Sequence, residues 1–306
     1  MALSELGVAV ASDGLGALRR VALAPGDVEA GLALSDAAGW NQTADDWALF
    51  IQKGHAIGYR DGANRLVATA AALPYGERAG WISMVLVADA WRHRGLASAL
   101  LDACVEHLRS ANIVPVLDAT PAGAEVYRRL GFKAGFEIDR WQWQASLQAG
   151  PAFAPEAGAG ADALLRPAGV ADLDALAALD RAATGLDRRF LLASFLARPH
   201  TRAWCSADWR GFIIARAGRR ATQIGPLVTS APNLAIALLA AALSSARLVP
   251  GGSVFVDLPR CRGELAAWLE AQGWVRQRPF VRMALGAAHP PTLGEDCYVL
   301  AGPEFG

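Results

Sequence analysis

The sequence predicts an α/β protein in which a mixed sheet flanked by helices is built twice. Three features predict it. An apolar run over 81–87 ends in a basic, glycine-containing turn, Arg92-His93-Arg94-Gly95. That turn opens straight into a segment with Leu96, Leu100, Leu101, Cys104 and Leu108 on one helical face. Residues 147–163 are dominated by Gly, Pro and Ala and read as a linker. After it, the same order of strands and helices starts again at Leu165. The expected organisation is a first domain over 1–146, a linker over 147–163, and a second domain over 164–306 with a C-terminal tail.

Each element follows from local signals. Residues 1–18 are small and polar, a ragged start or a short extra strand. A short strand over 19–23 leads to the turn Pro25-Gly26-Asp27, whose Asp27 can cap a helix over 28–38 with Val28, Leu32 and Leu34 at helical spacing. Thr43 and Asp46 form a capping-box pattern at the start of a second helix. Strands over 56–60 and 66–73 meet at Asp61-Gly62, a hairpin signal. The strand over 81–87 is apolar on both faces. A further strand over 114–118 precedes Thr120-Pro121, which starts a helix closed by Gly131. The alternation over 135–143 is that of a strand. The second half repeats the order: a strand over 165–167, helices over 172–183 and 190–196, strands over 203–205, 212–217 and 221–228, a helix over 233–246, a strand over 254–259 and a helical segment over 265–273.

Length and composition bound the function. The 306 residues suit two ordinary domains, and 53% hydrophobic against 19% charged residues marks a globular chain. A formal net charge of zero argues against a nucleic-acid partner, which selects a basic stripe. Local basic pairs (Arg92/Arg94, Arg128/Arg129, Arg188/Arg189) suit a small phosphorylated ligand better. The 4 cysteines are far apart, with no C-x-x-C pair, which predicts no metal and no disulfide framework. The start of the chain lacks a signal-peptide pattern, and the apolar run over 234–243 is about half the length that spans a bilayer. The expectation is a soluble cytoplasmic protein with no membrane partner, monomeric or homodimeric.

The basic turn carries the chemistry. A helix N-terminus leaves backbone N–H groups unpaired, and its dipole attracts phosphate. Arg92, His93 and Arg94 add donors, and Gly95 permits close approach. His93 reads either as a phosphate ligand or as a surface histidine. Tyr127, near the end of the next helix, offers a positioned phenol. Together, Arg92-x-x-Gly95-x-Ala97 after an apolar strand and Tyr127-x-x-x-Gly131-Phe132 resemble the GNAT acyltransferase family. Its acyl-CoA motif is Arg/Gln-x-x-Gly-x-Gly/Ala, and its later motif carries a Tyr before Gly-Phe. The match covers residues 19–143. The whole chain resembles two-domain bacterial acetyltransferases whose second domain is a degenerate GNAT-like copy.

The resemblance implies tandem GNAT-like acyl-CoA N-acyltransferase domains using acetyl-CoA as co-substrate. Its pantetheine arm would lie on the backbone of Val85, Leu86 and Val87, and its pyrophosphate on the turn Arg92, His93, Arg94, Gly95, Leu96, Ala97 and Ser98. Thr120 stands where many members place Asn, and Gly123 where they often have Ala. The acceptor, a small-molecule or peptide amine, would attack the thioester directly. A backbone N–H near Leu86 would hold the oxyanion, and Tyr127 would act as general acid and touch the cofactor. A phenol's reference pKa of about 10 keeps it protonated at neutral pH. No base stands out; Asp118 is the catalytic candidate, with Glu77 and His55 the other titratable groups near the predicted cleft. Trp40, Asn41 and Glu77 are the acceptor-binding candidates. In the second copy, Thr229-Ser230-Ala231-Pro232-Asn233 has no Arg or Gly, and Leu269 falls in the place of Tyr127. That copy is expected to bind no CoA in the usual way, and either to shape or cover the acceptor site or to act as an internal dimer partner. The alternative is a non-catalytic acyl-CoA sensor or scaffold.

Overall fold

The structure, a computed structural model, describes residues 18–144, 165–245, 252–287 and 294–306; the predicted linker and residues 1–17 lie outside them. The first half runs β1 (Arg19–Ala22), α1 (Val28–Ala37), α2 (Ala44–Lys53), β2 (His55–Arg60), β3 (Leu66–Tyr75), β4 (Ala79–Val87), α3 (Leu96–Ser110), β5 (Val114–Ala119), α4 (Pro121–Arg129) and β6 (Lys133–Gln144). The second repeats it as β7 (Leu165–Ala168), α5 (Leu173–Thr184), α6 (Arg189–Ala197), β8 (Arg202–Ser206), β9 (Gly211–Ala217), β10 (Ala221–Thr229), α7 (Pro232–Ser245), β11 (Ser253–Pro259), α8 (Gly263–Ala271) and β12 (Val275–Ala284). A short β13 (Cys297–Val299) follows in the tail. The capping box is present: Thr43 Oγ1 accepts from Asp46 N at 3.3 Å, and Asp46 Oδ2 accepts from Thr43 N at 2.8 Å.

All strands join one mixed sheet in the order β1-β2-β3-β4-β5-β12-β6-β11-β10-β9-β8-β7, with β13 beside β10. The pairs β4–β5 and β10–β11 are parallel. The halves are therefore not separate sheets. The second half's β12 lies between β5 and β6 of the first half, and β6 lies between β11 and β12 of the second. An Asp–Arg pair repeats at this exchange. Asp118 on β5 faces Arg282 on β12, and Asp257 on β11 faces Arg140 on β6. In each pair both carboxylate oxygens accept from one guanidinium at 2.8 Å. All four side chains are at most 5% exposed. Each charge is buried with a partner, which is the condition for tolerating it.

The tail closes the assembly. Leu300, Ala301 and Phe305 are fully buried, and Phe305 stacks on Phe50 at 5.1 Å. Tyr75 Oη donates to Phe305 O at 2.9 Å, and Trp81 Nε1 to Pro303 O at 3.3 Å, so residues of the second half's tail seat on β3 and β4 of the first. Arg188, of the basic pair Arg188/Arg189, is buried against Asp180 and the Gly306 carbonyl.

Candidate functional site

β4 and β5 pair only over Ala79–Val114, Gly80–Pro115 and Trp81–Val116, and diverge beyond. A bulge in β4 follows the last of these pairs. Thr69 faces Leu86 and Ala71 faces Ser83, so Met84 and Val85 together stand opposite Ala70. Met84 has φ +56°, a left-handed backbone that side chains such as methionine rarely adopt, and Thr69 Oγ1 donates to its carbonyl at 2.9 Å. The wedge between the strands opens into a cavity of about 220 Å³.

The basic turn follows β4. Gly95, at φ +76°, is the N-cap of α3, and no side chain caps it. The N–H groups of Leu96, Ala97 and Ser98 have no acceptor among the described residues, as expected of a first helical turn. A Cβ on Gly95 would meet nothing within 4 Å, so its φ alone requires glycine. Arg92, His93 and Arg94 are exposed. Asp89 holds Arg92 at 2.8 Å, and Arg94 lies 5.0 Å over the Trp91 ring.

Tyr127 lines the cavity from α4 and makes no hydrogen bond among the described residues. Burial pushes its pKa above the ordinary phenol value. Thr120 caps α4 by accepting from Gly123 N at 3.3 Å, and a Cβ on Gly123 would stand 3.3 Å from the Tyr127 ring. Glycine at that position therefore lets the phenol lie close to its own helix.

The structure brings Trp40, Asn41, Val85, Asp118, Thr120 and Tyr127 to one cavity. Two of them are committed elsewhere. Asn41 Nδ2 donates to Ala221 O at 3.1 Å, and its Oδ1 accepts from the backbone N–H groups of Arg220 and Ala221 at 2.9 Å. It clamps the β9–β10 turn. Asp118 is held by Arg282 through both oxygens; burial raises its pKa and Arg282 opposes that rise. Glu77 is exposed at the other end of β4, seven residues before Met84 and thus about 20 Å along the strand. His55 starts β2 and stacks on His107 at 4.0 Å, away from the cavity lining.

Other residues complete the lining. Glu304 reaches in from the tail with its side chain 12% exposed, and Arg216 Nη2 donates to it at 3.2 Å. Burial pushes its pKa up, ahead of the lowering by Arg216 and Arg140. Gln42 and Ser83 line the cavity, and their Oε1 and Oγ are buried without a partner among the described residues. Arg140, Arg278 and Phe280 line it from β6 and β12. No local pattern in the sequence marks Glu304: it is a lone carboxylate in the tail, brought in by long-range packing. The weak signal was Gly302-Pro303 before it and Phe305 after it, a turn beside an anchoring aromatic.

Residues 32–132 match the model of the acetyltransferase (GNAT) family, and residues 176–299 that of an acetyltransferase (GNAT) domain. The chain belongs to the GNAT acyltransferase family. It carries that domain in both halves, and the family uses acyl-CoA as co-substrate. No curated protein matches it in sequence. The fold of this tandem GNAT protein is shared with an acetyltransferase candidate from Pyrococcus horikoshii at TM-score 0.75 and 18% identity, covering 94% of this chain and 96% of that one. A tandem GNAT protein from the clavulanic acid biosynthesis pathway aligns at TM-score 0.61 and 18% identity, covering 87% and 98%. A GNAT protein from Sphaerobacter thermophilus aligns at 0.58 and 16%, covering 90% and 98%.

The second GNAT copy keeps the bulge and loses the space. Ile224 faces Ala215 and Leu227 faces Ile213, so Gly225 and Pro226 occupy the places of Met84 and Val85. Pro226 has no N–H. The gap between β10 and β11 holds the tail: β13 pairs with β10 through Leu227–Val299, and Leu300 N donates to Asp257 O of β11 at 3.0 Å. A Cβ on Gly225 would stand 1.9 Å from Leu300 O. At the following turn the Thr229 N–H is used by Asp296 O and the Ser230 N–H by Arg210 O. Leu269 is fully buried in the place of Tyr127.

Proposed function

We propose that this GNAT protein is an acetyl-CoA-dependent N-acetyltransferase, with 1–146 as the catalytic unit and 164–306 as a copy that no longer takes CoA. The observation that supports it best is the coincidence, in the first half alone, of a bulged and splayed β4, an uncapped α3 N-terminus and a free phenol on α4. The uncapped N–H groups of Leu96, Ala97 and Ser98, with Arg92 and Arg94, suit a pyrophosphate. The edge of β4 that β5 leaves open at Val85, Leu86 and Val87, where Arg92 Nε donates to Val87 O at 3.4 Å, suits the amide groups of a pantetheine arm. The acceptor amine attacks the thioester carbonyl from the cavity side. Glu304 takes the proton of the amine, which makes the tail of the second half part of the site. A backbone N–H beside the bulge holds the developing oxyanion. Tyr127, kept protonated by burial, gives its proton to the departing thiolate.

Calorimetric titration tests the binding. One acetyl-CoA per chain is expected, because Leu300 and Val299 fill the second splay. Gly95→Val is expected to weaken affinity at least about tenfold, since a β-branched residue is strained at φ +76° and narrows the turn. Two sites, or an unchanged Gly95→Val variant, would count against the reading. Tyr127→Phe tests the acid: kcat should fall on the order of 10²-fold with the acetyl-CoA Kd unmoved. Acetyl-CoA binding without thiol release on any amine would favour a sensor.

A further inference from the structure

The exchange of strands places two arginines side by side. Arg140 of β6 and Arg278 of β12 are direct cross-strand partners, so their side chains leave the same face. Both guanidiniums approach one ring, that of Phe280, at 5.5 and 5.2 Å. Like charges directly opposite in a sheet destabilise it. Glu304 acts on both arginines through its charge, and the carboxylate hydrogen-bonded to Arg140 is Asp257. It accepts from Nε and Nη2 of Arg140 and from Gln223 Nε2 at 2.9 Å, which leaves Arg140 Nη1 without a partner among the described residues. Arg278 is exposed and has no ion pair or hydrogen bond among the described residues; partial desolvation and the neighbouring Arg140 lower its pKa, against Asp257 and Glu304, which raise it. Both arginines line the same cavity as Glu304 and Tyr127.

We infer that the Arg140–Arg278 pair is an anion subsite, and that the acceptor is a small amine carrying a carboxylate, such as a free amino acid. The inference rests on the reading of this cavity as the acceptor's. A carboxylate matches the planar fork of Arg278 and can also take the free Nη1 of Arg140, relieving the like-charge contact. The amino group is then directed to Glu304, which lines the same cavity. A cavity of about 220 Å³ selects a small molecule, below the ~300–1,000 Å³ of drug-sized sites. A polypeptide N-terminus has no carboxylate at this spacing unless an acidic side chain supplies it.

The test does not depend on turnover. N-acetyl amino acids and their matching amides, the products of the two acceptor classes, are titrated calorimetrically against the whole chain. The acid is expected to bind at least about tenfold tighter than the amide, as a charge-assisted fork adds over a neutral contact. In Arg278→Gln that ratio should fall below about threefold. Arg278→Lys, which keeps the charge and loses the fork, should lie between. Equal binding of acid and amide by the parent, or a ratio that survives Arg278→Gln, overturns the subsite. Tighter binding of N-acetyl-O-phosphoethanolamine than of any carboxylate overturns the choice of anion. Folding is checked by thermal unfolding: Arg278→Gln should unfold no earlier than the parent, because it relieves a like-charge pair. Acetyl-CoA titration is run alongside. Acid selectivity without acetyl-CoA binding would leave the subsite standing and sink the transferase reading; the converse result would sink the subsite alone.

Discussion

Glu304→Gln is expected to lower kcat/KM by on the order of 10²–10³-fold at neutral pH, with acetyl-CoA affinity unchanged. Glutamine keeps an oxygen for Arg216 and so preserves the tail's position; what it loses is the ability to take a proton. The pH profile separates that loss from a structural one. Burial holds the Glu304 carboxyl above the usual carboxylate range, so the parent's kcat/KM should rise with pH along a limb displaced upward from about 4.3. In the variant that limb should vanish, and activity should recover only as the acceptor amine loses its own proton at high pH. A parallel loss at every pH would make Glu304 a positioning residue instead. Stability should carry the matching sign. With its folded pKa raised, Glu304 holds a proton in the native state at a pH where the unfolded chain has released it. Its ionisation therefore has no effect on stability below the unfolded value, and costs stability as pH rises through the folded one. Arg216 is buried against it, and burial lowers the Arg216 pKa, so both partners resist charging.

The first half was legible in the sequence because its signals are local. Thr43 and Asp46 announce a capping box, Thr120-Pro121 a helix start, and Arg92 to Gly95 a basic turn opening a helix, and each is read within four residues. The repeat was legible because the order of elements restarts at Leu165. The strand exchange was not. Which neighbour β12 chooses depends on Arg282 meeting Asp118, a contact between residues 164 positions apart. Asp118 itself illustrates the limit. Its place at the end of the strand facing the cofactor helix suggested a base, but nothing local says that an arginine from the other half will take both its oxygens. Glu77 was misplaced relative to the cavity for a similar reason: the turn that carries it adjoins β4 in sequence but lies at the strand's far end. Glu304 and Arg278 were hidden because the cavity is closed by the tail and by the exchanged strand, neither of which local periodicity can dock.

Arg282→Met should be among the most destabilising single changes in the chain, costing about 3–5 kcal/mol by removing one partner of a buried ion pair. Methionine retains much of the packing that the guanidinium makes over Trp81 at 4.3 Å and Phe136 at 4.9 Å, so the loss is chiefly electrostatic. Asp118, fully buried, would be left with no counter-ion, and its carboxyl, already raised by burial, would rise further. The pH dependence follows. A carboxyl whose folded pKa exceeds its unfolded value binds more protons in the native state, so stability is lost as pH climbs through the folded value and returns on acidification. Denaturant unfolding of Arg282→Met at several pH values should therefore show a deficit that shrinks toward the ordinary carboxylate range. The double variant Asp118→Leu/Arg282→Met removes both charges and should recover most of the loss, as buried pairs replaced by apolar residues often do. The same double variant decides what Asp118 is for. If it folds, binds acetyl-CoA and still turns over, Asp118 joins the two halves and takes no part in the chemistry. If it folds and binds but is inert while Glu304→Gln remains active, the proton belongs to Asp118 and the tail only seals the cavity.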